Sequence, residues 1–187
     1  LMSCYSFISV LLALLVLRPL LVDQILSRAE AFRAVGRLDE SERQCDKALL
    51  IDDDSSRAWG QLARIHKARG ERTLAYAAYE KAVQADPVNC SARFELAMMY
   101  MDDERHPLAV GHLQQVRRVG LEKAKSCPGG ADSYHRAALH MLLLCYEKVG
   151  DPVKTEMTRR EIRVFYPDYR SDRPPQTSLP AVSSARE

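Results

Sequence analysis

Ser56–Asn89 reads SRAWGQLARIHKARGERTLAYAAYEKAVQADPVN, and this stretch decides the fold of the residues around it. Its small and apolar residues recur at helical spacing on either side of Gly70. Small side chains at Ala63 and Ala82 let two antiparallel helices approach closely, while Trp59, Leu62 and Tyr79 fill the space around them. Gly70 stands where one helix must stop and the chain must turn, a position that favours a left-handed backbone. Asp86-Pro87 ends the second helix, because proline has no N–H to continue it and restricts the residue before it. The stretch is predicted as one helix–turn–helix unit.

The same pattern recurs at a step of 34 residues. Ala29 maps to Ala63 and Ala97, and Phe32 to His66 and Tyr100. Gly36 maps to Gly70, Cys45 to Tyr79 and Leu113, and Ala48 to Ala82 and Val116. Ser41, Ala75 and Ala109 form a further series. Gly150 then lies 46 residues beyond Glu104, one period plus 12, and the extra length falls around the turn-rich Ser126-Cys-Pro-Gly-Gly130.

These residues carry a family resemblance. Ser56–Asn89 resembles a tetratricopeptide repeat (TPR), with Trp59, Leu62, Ala63, Gly70, Ala75, Tyr79, Ala82 and Pro87 at the family's signature positions. Residues 22–55 form a weaker copy, with Arg28 and Asp53 where the family prefers Leu and Pro. Residues 90–123 form another, in which Glu104 replaces the turn glycine and Leu121 the proline. Residues 136–169 match at Leu142, Tyr146, Gly150 and Pro167 and depart at Thr155 and Arg159, as a polar cap on the stack would. The resemblance implies an all-α solenoid of three to four TPR units over 23–169, with an insertion at 124–135. Residues 170–187, rich in Arg, Pro and Ser, are expected to be a disordered tail.

In that family the first helix of each unit lines a peptide-binding groove, and matching offsets give its lining here. The first unit contributes Leu26, Glu30 and Arg33, and the second Arg57, Arg64 and Lys67. The third contributes Phe94, Met98 and Met101, and the fourth His140 and Leu144. One half of the groove is then basic and the other apolar, which suits an acidic peptide with one or two large apolar anchors. The alternative is that the charges are ordinary solvated ones, with Phe94 and the methionines buried against the next unit. Some family members clamp a terminal carboxylate with Lys and Asn; the matching positions here are Leu26, Glu30 and Gly60, which do not support that clamp.

Ahead of the repeats, Leu1–Leu17 contains no charged residue, and after Arg18-Pro19 the apolar character continues through Leu20, Leu21 and Val22. A bilayer core about 30 Å thick takes roughly 20 apolar residues in a helix, so residues 1–22 are read as a single-pass membrane anchor at the short end of that range. Arg18 would then snorkel to the headgroups. Arg18, Arg28, Arg33 and Arg37 follow the segment with no Lys or Arg before it, which predicts a cytoplasmic repeat domain. A cleaved signal peptide is disfavoured by the missing basic leader and cleavage site. A buried core helix remains the competing reading.

The composition, 47% hydrophobic and 28% charged over 187 residues with a formal charge of +2, is that of an ordinary globular chain. No Lys/Arg block or aromatic platform points to nucleic acid. The five cysteines have no CxxC spacing and read as small apolar packers, and Cys127 lacks the surroundings of a reactive thiol. The five histidines have no metal-site spacing, and Asp52-Asp-Asp54 reads as helix capping. No phosphate loop or nucleophile elbow occurs. The expectation is a non-catalytic, membrane-tethered scaffold for complex assembly, with a protein partner and no cofactor or small-molecule substrate. The alternative is a permanent structural subunit of a large membrane complex.

Overall fold

The computed structural model describes residues 2–126 and 133–167, with side chains described for 17–122 and 133–167. The described residues form α1 (Met2–Ala34), α2 (Leu38–Ile51), α3 (Ser56–Arg69) and α4 (Arg72–Ala85). They continue as α5 (Cys90–Asp102), α6 (His106–Ser126), α7 (Ser133–Val149) and α8 (Pro152–Phe165). The expected tail at 170–187 and the turn at 127–132 lie outside the described residues, and so does Cys127.

Four of the connections are closed by the same pair of backbone hydrogen bonds, in which the residue after the left-handed turn donates five residues back. Arg37 N–H reaches the Phe32 carbonyl at 2.9 Å, Glu71 that of His66 at 2.9 Å, Arg105 that of Tyr100 at 2.8 Å, and Asp151 that of Tyr146 at 3.0 Å. Gly36, Gly70 and Gly150 occupy the turn at φ of 78°, 78° and 75°. Glu104 adopts the same conformation at φ 58°, so the third turn keeps its geometry without a glycine. Left-handed backbone brings Cβ against the following carbonyl, which is why glycine is the usual occupant.

The chain divides into two compact units, Leu1–Ala92 and Arg93–Glu187. In the first, α1 packs on α2, α2 on α3 and α3 on α4. Val22, Leu26, Ala29, Cys45, Ala48, Ala58, Leu62 and Ile65 form its core, with Trp59 packed against them. Tyr79 is fully buried beside Ala63, Ala75 and Ala82, as the spacing of the repeat requires. Ser41 Oγ donates to the Ala29 carbonyl at 2.7 Å across α1 and α2, and Ser56 Oγ to that of Ala82 at 2.7 Å across α3 and α4.

In the second unit, α6 packs on α7 and α7 on α8, with Leu139, Leu143 and Ile162 as a core cluster against Tyr166. The insertion lengthens α6 to 21 residues, so part of it is helix and not loop. Gly120 lies at the closest approach of α6 to α7: a Cβ there would stand 2.9 Å from His135 Cβ and 3.0 Å from its backbone nitrogen.

The expected boundary after residue 22 does not coincide with a break, since α1 runs unbroken for 33 residues through Pro19 into the first repeat. Among the described residues no helix is long and apolar enough to cross a membrane. The side chains of Leu1–Val16, most of the expected anchor, lie outside those residues.

Candidate protein-binding surface

The first helices of the first two repeats, α1 and α3, lie in contact. Their side chains are tied by polar pairs that the repeat offset brings together. Arg57 Nη1 is paired with Asp23, 34 residues earlier, and Gln61 donates to Glu30. Arg64 Nη2 donates to Ser91 Oγ at 2.6 Å. Two of the expected groove cations are therefore engaged within the unit: Asp23 neutralises Arg57, whereas Arg64 keeps its charge on a neutral hydroxyl.

Arg33 and Lys67 occupy equivalent places, 34 residues apart, in the last turns of α1 and α3. Lys67 is exposed and Arg33 half-buried, and Arg33 Nε is a buried donor without a hydrogen-bond partner among the described residues. Other nearby cations serve the fold. Arg69 bridges Glu42 at 2.7 Å and Asp39 at 2.6 Å, and the Glu42 contact above all raises its pKa; Arg37 pairs with Glu40 at 2.6 Å. Arg33, Arg64 and Lys67 thus bring positive charge to the end of α1 and α3 remote from Asp23.

Several residues expected in the groove lie elsewhere. Leu26 is fully buried in the first core, because α1 turns this position toward α2. Glu30 is occupied by Gln61. Phe94, the expected anchor, is only 8% exposed and meets Tyr134 edge-on with ring centroids 6.3 Å apart. His140 is buried, which holds its imidazole below the ordinary histidine range, whereas Leu144 is exposed. Met98 and Met101 are half-buried. Phe94, Met98 and Met101 belong to the second compact unit, and Arg33, Arg57, Arg64 and Lys67 to the first.

A buried polar cluster in the second unit was not legible from spacing. His135 is fully buried, its Nδ1 is 2.8 Å from the Tyr166 hydroxyl, and its Nε2 lies 3.6 Å from Glu161. Glu161 also pairs with Arg117 at 3.4 Å, so the cluster ties α6, α7 and α8 together. Gly120 was its one sequence signal, a glycine inside a helical run. Desolvation pushes the buried thiols of Cys45 and Cys145 up to about 12 and about 11, which makes them packing groups at neutral pH. Among the described residues no group of His, Cys, Asp and Glu is placed to hold a metal ion.

Comparison with known proteins agrees with this geometry. Residues 56–89 match the tetratricopeptide repeat family. No curated protein matches the sequence. Among solved structures, BtubC (BKLC) from P. vanneervenii superposes with a TM-score of 0.62 at 18% identity, covering 89% of this chain and 72% of that one. MamA gives a TM-score of 0.59 at 18% identity, over 79% of this chain and 81% of its own. The Yersinia enterocolitica type III secretion translocator chaperone SycD gives 0.50 at 18% identity, over 63% and 90%. At these identities the likeness is one of fold. Residues 56–89 are thus a tetratricopeptide repeat by sequence, and three further helix pairs among the described residues are closed by the same turn.

Proposed function

We propose that the chain is a protein-interaction scaffold, tethered to a membrane by its N-terminal segment, that takes an acidic peptide on the α1/α3 face in the assembly of a complex. The carrying observation is the cationic end of that face. Arg33 has a buried donor without a hydrogen-bond partner among the described residues, and Arg64 carries its charge against a neutral hydroxyl. A carboxylate beside Arg33 would give that donor a charge-assisted hydrogen bond. The folds of BtubC, MamA and SycD lend the general reading support, since the family binds proteins on such faces. Tethering rests on the charge-free stretch Leu1–Leu17, and a cytoplasmic repeat domain on the arginines that follow it.

A pull-down of the full chain in mild detergent, beside an Arg33→Gln/Lys67→Glu variant, tests this reading. Partners lost only from the variant identify a ligand of the α1/α3 face. A partner set that both retain removes that face from the function. Such a result would favour a permanent subunit of a larger complex, a reading with its own observation. The last helix exposes Val153, Met157 and Val164 at 68%, 64% and 74%, a stripe that a fixed neighbour would cover.

A further inference from the structure

We infer that the foot of the first repeat, formed by Leu17, Leu20, Leu21, Leu50 and Ile51, rests in the interfacial layer of a phosphatidylcholine-type bilayer. The inference deepens the tethering proposed above and rests on it. Three observations meet at this place. First, α1 is one unbroken helix, so no linker separates the charge-free stretch from the first repeat. At about 1.5 Å per residue, Arg18 to Leu21 lie within about 6 Å of the last residue of that stretch.

Second, Arg18 does not reach outward. Its Nε donates to the carbonyl of Ile51 at 2.7 Å, and Nη2 bonds the same oxygen. A cation on the last carbonyl of α2 satisfies an orphan acceptor and complements the negative end of the helix. This contact sets the end of α2 level with Arg18, so the lower edge of the repeat lies at the same depth as the end of the apolar stretch. The snorkelling expected of Arg18 is replaced by a contact that fixes the repeat's height.

Third, what surrounds that contact is apolar and open. Leu17, Leu20 and Leu21 are about half exposed, and Leu50 is 86% exposed. A pocket of about 540 Å³ opens among Leu17, Arg18, Leu20, Leu21, Gln24 and Ile51. Leu17, Leu20, Leu21 and Ile51 line that opening, Leu50 is the residue before Ile51, and an exposed apolar patch of this kind marks a contact with membrane or protein. Lipid is the occupant that the geometry favours. Insertion of the stretch carried by the same helix brings the patch to the bilayer surface, where a protein would have to share the space with headgroups. Asp52, Asp53 and Asp54 in the next turn favour zwitterionic over anionic lipid.

The chain has a single tryptophan, Trp59, which permits a direct test. In a Trp59→Phe background, Leu50→Trp reports the foot. Leu74→Trp, at the start of α4 and so at the far end of α3, is the control. Both full-length variants are reconstituted into phosphatidylcholine vesicles with and without bromine near the glycerol end of the acyl chains. Bromine is expected to quench Leu50→Trp and leave Leu74→Trp unchanged. If Trp59→Phe lowers helix content, Trp59 is kept and the quenching added by each inserted tryptophan is read instead. Retention on vesicles without quenching of Leu50→Trp overturns the foot and leaves the tether standing. Failure to float with the vesicles overturns both.

Discussion

The second and fourth repeats share one turn and little else. Around Gly70 and Gly150 the backbone closes with the same bonds, yet the helices beyond are filled differently. Between α3 and α4, Ala63, Ala75, Ala78 and Ala82 permit a close approach and Tyr79 fills it. Between α7 and α8 the corresponding series runs Leu143, Thr155, Thr158 and Ile162, while Arg159 stands exposed at the place of Tyr79 and pairs with Glu147 at 2.7 Å. The fourth pair is held in addition by the cluster of His135, Tyr166 and Glu161. Turn geometry therefore sets the register of a repeat, and packing sets its strength. The outer face of α8 also departs from the expected polar cap, since Val153, Met157 and Val164 stand between its charged residues.

The largest test of that contrast is a matched pair of truncations. Tyr79→Ala removes a fully buried ring and is expected to cost about 3–5 kcal/mol in urea denaturation. Arg159→Ala, at the same repeat position, is expected to change stability by no more than about 0.5 kcal/mol, because its ion pair is largely exposed. Comparable losses from both would show that the fourth repeat is packed like the second.

Gly120→Ala probes the other side of the comparison. The added methyl meets the backbone of His135, and helix α7 cannot move without disturbing the Tyr166 and Glu161 contacts, so a loss of about 1–3 kcal/mol is expected by thermal denaturation. Equal stability would mean that α6 and α7 are not closely apposed in solution.

The turns themselves supply a smaller effect of opposite sign. Glu104→Gly relieves a left-handed non-glycine residue and is expected to stabilise the protein by about 0.5–1 kcal/mol, whereas Gly70→Ala should cost about 1 kcal/mol. A destabilising Glu104→Gly would show that the glutamate has a role beyond the turn.

The smallest effect concerns the start of α8. The Lys154 N–H donates to the Asp151 carboxylate at 3.0 Å, and with the Lys154 ammonium group it holds that carboxyl below the usual carboxylate range. Because the folded-state pKa is the lower one, the cap contributes fully above the ordinary Asp range and is lost as pH falls through the folded value. The Lys154 amide resonance should therefore titrate with a midpoint below that of an unstructured Asp, and Asp151→Asn should abolish the titration.

Much of the helical register was legible from residue identity, for a physical reason. Repeat turns need a left-handed residue at a fixed spacing, and only small side chains permit the α3–α4 approach, so Gly36, Gly70 and Gly150 and the alanine series announce the pattern. Glu104 kept the register without the usual residue because the flanking hydrogen bonds impose the conformation. The candidate surface was less legible. Offsets placed Arg57 and Arg64 on α3, but they could not show that Asp23 and Ser91 engage them. Nor could they show that Phe94 and Leu26 turn inward.

Residue identity and spacing were enough to read a tetratricopeptide repeat at 56–89, similar spacing on either side and a charge-free stretch ahead of them, because periodic spacing and charge are local properties of the chain. Which side chains are engaged follows instead from the packing of the helices. It pairs Arg57 with Asp23 and holds Arg18 on the end of α2. It also leaves an Arg33 donor open near the end of α1 and assembles the His135 cluster from three helices. Pairing depends on which residues distant along the chain come within a few ångströms of one another, and that follows from how the helices pack.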